Sequence, residues 1–305
     1  TIEELSSHCE IGSAADSMLE TEKTEDLSKE DLLRSHSKRY IERLESEDRL
    51  GALYNAYELI DEKGDFNRYD PTDASYPLEE LYEVIRSRAA GTAQCMRMAL
   101  EEGMCYYFGG GFHHAHYDFG HGFCVINDAV IGLRKLQKER AITTAWIIDG
   151  DAHKGDGTAA ITRGDPSIRS LSIHMAEGWP LSASPITADG KLHPSFIPSD
   201  VDIPISCGGE PEYEQRLLDG LGRLDQYPRP DIAVVLFGAD PYEKDMLESA
   251  ELLRLPLDLL AKRDEAIYSF LKERDIPVAY LMAGGYGPHA WEVNYRFLEE
   301  LIRRE

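Results

Sequence analysis

The sequence predicts an α/β protein of one domain, in which a central, mostly parallel sheet is flanked by helices and carries its functional site at the carboxyl ends of the strands. Short apolar runs rich in β-branched residues recur after longer amphipathic stretches along the 305 residues. This alternation is typical of βα units, whose strands pair in parallel and are buried on both faces. No linker rich in Gly, Ser or Pro divides the chain, so residues 1–305 are treated as a single domain.

The individual elements follow from periodicity. Apolar runs predict strands over residues 105–108, 144–149, 168–173, 232–237 and 278–282. Helical spacing of apolar residues predicts helices over residues 29–45, 78–102, 127–139, 212–225, 257–274 and 291–304. The segment 175–202 is rich in Pro, Ser and Gly and is predicted to be a long surface loop that rims a site.

Composition limits the classes of partner. The net charge of -24 opposes binding to nucleic-acid phosphates, and we interpret it as a solvated surface rather than a device for attracting cationic substrates. Five cysteines without paired spacing predict reduced thiols and a cytoplasmic protein. No apolar run is long enough to span a bilayer, and residues 1–24 are polar and acidic, so we expect neither an anchor nor a signal peptide.

The motif Asp149-x-Asp151-x-His153 ends a predicted strand. Extended chain sends alternate side chains to one face, so two carboxylates and an imidazole project together and can grip a divalent ion. Asp156 follows glycines at 150 and 155 and is expected to bring a further carboxylate near this motif. Taken alone, the motif also fits a solvated turn. Asp240 follows another predicted strand and by itself resembles a helix-capping Asp, but with Asp151 and His153 it becomes a candidate third ligand that leaves a coordination position open for water.

Two further motifs point to catalysis. GGGFHHA places His113 and His114 after three glycines, and both imidazoles can reach one site only from an irregular loop. Asp149 and Asp156 are then candidate hydrogen-bond acceptors that orient the two rings. AGGYG places Tyr286 on a turn after a strand, where its phenol is either an ordinary turn aromatic or a donor to an oxyanion.

These residues resemble the zinc-dependent histone deacetylase superfamily, which has the arginase-deacetylase fold and includes bacterial acetoin-utilisation and acetylpolyamine relatives. The blocks GGGFHHA, GFCVIND, IDGDAHKGDGT, LSIH, GAD and GGYG occur in the family's order, from about Leu32 to the C-terminus. Residues 1–27 precede the recognisable blocks and are interpreted as a trimmed or divergent segment.

The resemblance implies roles for individual residues. Asp151, His153 and Asp240 would bind Zn²⁺, with Fe²⁺ as an alternative. His114 would be the general base and acid, His113 its electrostatic partner, and Tyr286 the group that polarises the carbonyl. Asp149 would pair with His113 and Asp156 with His114. Gly122, Phe123 and Trp179 would wall the acyl-lysine channel. A structural K⁺ or Na⁺ would be held by Asp149, Asp151, His153, Ser172 and Ile173.

The sequence departs from the family pattern at three places. The first two favour the bacterial, class-IV-like branch of the family, and the third weakens the assignment of Trp179 to the channel. Lys154 replaces a second histidine. Its charge could act on Asp156 and His114. Strand alternation instead favours a side chain that faces away from the pocket, into solvent or an ion pair. Met282 and Ala283 replace two glycines. The short segment GWP makes Trp179 a less secure channel residue than Phe123.

The resemblance therefore predicts a metal-dependent deacylase of N-ε-acyl-lysine in peptides or proteins. A small-molecule deacetylase is the first alternative, but Leu247 stands where polyamine-selective relatives carry a rim carboxylate, with Glu243 and Glu248 nearby. A catalytically silent acyl-lysine binding module is the second, and retention of Tyr286 argues against it. An arginase-like binuclear centre would need a second Asp-x-Asp set.

Overall fold

The computed structural model describes residues 2–8, 12–19, 24–61, 63–67 and 70–304. Six parallel strands form one sheet in the order β1-β6-β5-β2-β3-β4. The strands are β1 (Met104–Tyr107), β2 (Ala145–Asp149), β3 (Ile168–Met175), β4 (Val201–Ile205), β5 (Ile232–Leu236) and β6 (Val278–Leu281). This confirms the predicted parallel sheet.

Eleven α-helices are present among the described residues. They are α1 (Ile2–Ser7), α2 (Gly12–Met18), α3 (Lys29–Leu32), α4 (Lys38–Leu44), α5 (Arg49–Ala56), α6 (Leu81–Glu102), α7 (Asp128–Lys138), α8 (Asp156–Thr162), α9 (Tyr213–Leu224), α10 (Leu257–Lys272) and α11 (Ala290–Ile302). No described helix has the length and apolar character that a membrane crossing requires.

The two faces of the sheet are covered by different helices. Alternation along β2 directs Ile147 to one face, where it packs with residues of α6 and α7, and Ile148 to the other, where it packs with residues of α9, α10 and α11. Burial on both faces explains why β2 and β5 are apolar throughout. A separate cluster joins α3, α4 and α5 to the start of α6.

Several elements differ from the prediction. The predicted helix 29–45 is two short helices, because Ser37 leaves the helical path and its hydroxyl accepts the Tyr40 N–H at the start of α4. β4 lies within and beyond the end of the predicted surface loop, and its Pro204 is compatible with an edge strand. Helices α5 and α8 were also not predicted, since each is short and follows or contains glycine.

No disulfide joins the four described cysteines, which are Cys95, Cys105, Cys124 and Cys207. Cys9 lies outside the described residues.

Candidate active site

The predicted site residues gather at the carboxyl edge of the sheet, in the loops that follow five neighbouring strands. Loops after β2 and β5 at the centre of the sheet carry Asp151, His153 and Asp240, while loops after β1, β3 and β6 supply His114, Trp179 and Tyr286. Open parallel sheets form their sites at this edge because strand ends and helix starts leave space there.

The loop after β2 is folded tightly by its own carboxylates. Asp149 Oδ1 accepts the N–H of Asp151 at 3.1 Å, and Asp151 Oδ1 accepts the N–H of His153 at 3.0 Å. These bonds between a side chain and the backbone two residues on are Asx turns, which the Asp-x-Asp-x-His spacing encodes locally. They bring all three side chains to one buried place.

Asp151, His153 and Asp240 converge on a single point. Each offers a ligand atom, and these atoms lie within 4.8 Å of one another. His153 Nδ1 is 2.8 Å from Asp240 Oδ2 and 3.3 Å from Asp151 Oδ1. The second oxygens are fixed by backbone donors, since Asp240 Oδ1 accepts the N–H of Ala152 and Asp151 Oδ2 that of Gly284. Backbone bonds of this kind hold metal ligands in a fixed orientation.

The electrostatics of these three residues fit a bound cation. Burial and the nearby Asp151 carboxylate raise the pKa of Asp240. Burial opposes a charge on His153, yet the carboxylates of Asp151 and Asp240 raise its pKa to about 10. Without a metal ion, the negative charge of the two carboxylates is offset by protons on His153 and by the raised proton affinity of Asp240, and a divalent ion bound by the three residues would offset it directly.

Two glycines allow the backbone to pack closely against the Asp151 carboxylate. A Cβ at Gly238 or at Gly284 would lie 2.5 Å from Asp151 Oδ2, so neither position accepts a side chain without displacing this carboxylate.

His113 and His114 lie side by side, with ring centroids 3.9 Å apart. His113 Nδ1 is 2.7 Å from Asp149 Oδ2, and His114 Nδ1 is 2.7 Å from Asp156 Oδ1. An ionised carboxylate only accepts hydrogen bonds, so each Nδ1 carries a proton and each Nε2 is left for chemistry. The structure thus brings together both histidines and both predicted orienting carboxylates.

The two imidazoles differ in basicity. Burial and the positive charge of the adjacent His113 lower the pKa of His114 to about 3, although Asp156 opposes this shift. Burial also opposes charge on His113, but Asp149 and Asp151 outweigh it and raise its pKa to about 9. At neutral pH His114 is therefore the neutral ring and His113 the protonated one.

Tyr286 is held by the loop after β5. Its N–H donates to Asp245 Oδ2 at 2.6 Å, while Asp245 Oδ1 accepts the N–H of Leu247 at 2.8 Å. The Met246 N–H also donates to the Tyr286 carbonyl at 3.3 Å. Burial and the carboxylates of Asp240 and Asp151 raise the pKa of Tyr286, so its phenol keeps its proton and remains a donor.

The predicted channel residues lie around this centre. The Phe123 ring is 6.1 Å from the Tyr286 ring between centroids. The Trp179 ring lies over the imidazoles, with its centroid 4.5 Å from that of His114 and 5.4 Å from that of His153. A Cβ at Gly122 would collide with Trp179 and come within 2.7 Å of His114 Cδ2, which explains the glycine there.

Comparisons with known proteins identify the family of the chain. The family model described as the histone deacetylase domain matches residues 2–298. The chain belongs to the histone deacetylase family. The match begins well before Leu32, so the family's recognisable region extends further toward the N-terminus than we predicted from the motifs.

The chain is similar to proteins from other organisms and to a solved structure. An uncharacterised protein of Picosynechococcus is 30% identical over 68% of this chain and 64% of its own length. Histone deacetylase 2 of Arabidopsis thaliana is 28% identical over 72% of this chain and 54% of its own. This chain therefore spans less than two thirds of either relative.

The crystal structure of a histone deacetylase homolog from Aquifex aeolicus superimposes with a TM-score of 0.68 at 21% identity, covering 95% of this chain and 76% of that one. The likeness confirms the arginase-deacetylase fold.

In this histone deacetylase family member, residues that we did not predict contact the predicted metal ligands or their loops. His153 Nε2 is 3.1 Å from the Ser249 hydroxyl. The buried guanidinium of Arg263 donates from Nη1 to the carbonyls of Gly150 and Gly238, each at 2.8 Å, and so ties the loop carrying Asp151 to the loop carrying Asp240. Arg263 lies in an ordinary helical stretch of α10, and the neighbouring sequence does not indicate this contact.

Two more unpredicted residues shape the histidine loop. Asp128 accepts the N–H of Gly111 and Phe112 and the Thr92 hydroxyl, which fixes the glycine run before His113. His36 Nε2 accepts the N–H of Asn127, so its Nδ1–H donates to the His116 carbonyl at 2.9 Å.

The side chain of Lys154 is directed toward β4 rather than toward His113 and His114. Its buried ammonium is 3.2 Å from Asp202 Oδ1 on β4. Of the two interpretations of this departure, the structural ion pair is the one that the geometry supports. Ala283, the other departure, has a φ of 52°, a conformation that glycine adopts with less strain.

The predicted rim residues differ in exposure, and the residues predicted to hold a monovalent cation lie on or next to β2 and β3. Leu247 is half-buried, whereas Glu243 and Glu248 are exposed. Asp149, the last residue of β2, is the register partner of Ser172 within β3, and Ile173 follows Ser172. The Ser172 hydroxyl lies 3.1 Å from His174 Nδ1.

Proposed function

We propose that the chain is a metal-dependent amidohydrolase that removes the acyl group from N-ε-acyl-lysine. The observation that carries this proposal is the convergence of Asp151, His153 and Asp240 beneath a histidine pair in which one ring is neutral and the other protonated. Family membership supports deacylation as the reaction class.

Zinc is the proposed metal, with ferrous iron as the alternative, because one imidazole and two carboxylates suit these borderline ions. Asp151, His153 and Asp240 would hold it. When bound, it supplies a Lewis acid that acidifies water and polarises the acyl carbonyl. A K⁺ or Na⁺ ion is further proposed beside it, at Asp149, Asp151, His153, Ser172 and Ile173.

The residues of the chain perform the proton transfers. His114 Nε2 takes a proton from the attacking water while Asp156 holds Nδ1, and the Tyr286 phenol donates a hydrogen bond to the oxygen on which negative charge develops. His114 then gives its proton to the leaving nitrogen as the C–N bond breaks. The products are a carboxylate and a free amine. Protonated His113 keeps the resting His114 neutral and adds positive charge near the oxyanion.

The channel residues favour a long, thin acylated side chain. Gly122, Phe123 and Trp179 surround the approach to His114, and aromatic walls of this kind accommodate the apolar methylenes of lysine. Leu247 offers no carboxylate for a second amine of an acylated polyamine, and no nucleic-acid partner is proposed for a chain with a net charge of -24.

The test is a panel of acetyl-lysine peptides, longer acyl-lysine peptides and acetylpolyamines, assayed with the zinc-loaded chain. We expect lysine peptides to be hydrolysed with the higher kcat/KM. A preference for acetylpolyamines would replace the acyl-lysine proposal with the small-molecule alternative. If the zinc-loaded chain binds acyl-lysine peptides but hydrolyses none of the substrates, it is a binding module.

A further inference from the structure

A second group of metal-ligating side chains lies beside the catalytic one. It consists of His116, His121 and Asp156, whose nearest ligand atoms all lie within 4.8 Å of one another. His116 Nε2 is 3.0 Å and His121 Nδ1 is 3.4 Å from Asp156 Oδ2. Ligands bound about 2.0–2.1 Å from one tetrahedral ion are about 3.3 Å apart, so these separations match those of a metal site.

The His121 ring pairs only loosely with Asp156. Its Nδ1 is buried and makes no hydrogen bond, although the Asp156 carboxylate is close. A buried nitrogen without a well-formed hydrogen bond is costly, and a metal ion between the ring and the carboxylate would bind both groups directly. The main chain at His121 is fixed, because His121 and Cys124 exchange two backbone hydrogen bonds, at 2.9 and 2.8 Å.

His116 is equally fixed. Its ring stacks on Phe119 with centroids 4.5 Å apart, and its carbonyl accepts the Nδ1–H of His36. Asp156 stands in the first turn of α8 and is fully buried. The three ligands are therefore preorganised, which reduces the ordering that metal binding would otherwise require.

We propose that His116, His121 and Asp156 form a second divalent-metal site, which takes borderline transition ions such as zinc or cobalt(II). Two imidazoles and one carboxylate suit these ions better than Ca²⁺ or Mg²⁺, which prefer all-oxygen sites. The His121 side chain is 24% exposed, so water can reach a fourth coordination position. The site binds more weakly than the Asp151, His153 and Asp240 set, because it has one carboxylate instead of two.

The two centres share Asp156. Its Oδ1 accepts the Nδ1–H of His114, and its Oδ2 faces His116, His121 and the Ser195 hydroxyl. A cation on Oδ2 places positive charge next to the ring that must accept a proton, so occupancy of the second site slows turnover. Metal binding itself does not depend on the proposed deacylase function and can be measured in an inactive protein.

The experiment titrates the metal-free full chain with zinc against a chromophoric chelator, and with cobalt(II) by its visible absorption. We expect two phases in the wild type. His121→Ala and His116→Ala should lose only the weaker phase, while Asp240→Asn should lose the tighter phase and keep the weaker one. His8→Ala, which removes an imidazole outside both groups, is the matched control and should keep both.

Three results would overturn the proposal. They are a single phase in the wild type, a weaker phase that survives in both His116→Ala and His121→Ala, and a weaker phase that His8→Ala also removes. His121 is partly exposed, so its variant tests the site even where the buried His116 variant fails to fold. Failure of the acyl-lysine panel leaves these binding results unaffected.

Discussion

His153 and Ser249 are joined through the imidazole Nε2 and the serine hydroxyl, which lie 3.1 Å apart. A hydroxyl that accepts the Nε2–H keeps the lone pair of the ring on Nδ1, which faces Asp240. We expect Ser249→Ala to weaken zinc affinity about 10–100-fold, the usual loss for such a partner. Ser249→Thr keeps the hydroxyl and should retain the affinity. Competition with a zinc chelator measures both, and equal affinity in the Ala variant would show that Ser249 has no part in holding the metal.

Tyr286→Phe should retain zinc but lower kcat about 10²–10³-fold, because it removes one donor to the developing oxyanion. Tyr117→Phe is the control, since Tyr117 is 52% exposed and outside the site. Steady-state kinetics and metal analysis of both variants decide the matter. Turnover of the Tyr286 variant at the wild-type rate would remove the phenol from the mechanism.

Lys154→Gln should leave the acidic limb of the kcat/KM profile where it is and reduce the free energy of unfolding by about 1–3 kcal/mol, because it leaves Asp202 without its charged partner. Denaturant unfolding of Lys154→Gln, Asp202→Asn and the double variant measures the coupling between the two residues. A shift of the acidic limb in Lys154→Gln would instead support an electrostatic action on His114.

The pKa of His113 predicts how stability depends on pH in the metal-free protein. Folding raises this pKa from 6.5 to about 9, so the pairing of His113 with Asp149 stabilises the fold fully below pH 6.5, and the stabilisation is lost as the pH rises through about 9. Asp149→Asn lowers the folded pKa and removes most of this contribution. Urea unfolding across this range should show the difference between wild type and variant shrinking toward pH 9. A constant difference would contradict the assignment.

Local patterns predicted much of this molecule. β2 and β5 are continuous apolar runs, and the Asp-x-Asp-x-His spacing encodes its own Asx turns, so the strands and the loop after β2 could be located from the sequence. The edge strand β4 could not, because Pro204 interrupts its apolar pattern and its pairing with β3 is a tertiary contact.

Supporting residues were harder to find than the groups they support. Ser249 and Arg263 lie 96 and 113 residues from their partners His153 and Gly150, and no local spacing records such a contact. His116 directly follows the recognised GGGFHHA motif, yet its contact with Asp156 depends on how the loop folds back on α8.

Arg263 links the metal centre to the global stability of the protein. Helix α10 lies against one face of the sheet, and through this one guanidinium it fixes the two loops that carry Asp151 and Asp240. Loss of α10 from the sheet would therefore dismantle the ligand set, and an ion that binds only the intact set must oppose that loss through thermodynamic linkage. The proposed metal would thus be a folding ligand as well as a cofactor, and we expect a chelator to lower the melting temperature of the metal-loaded domain.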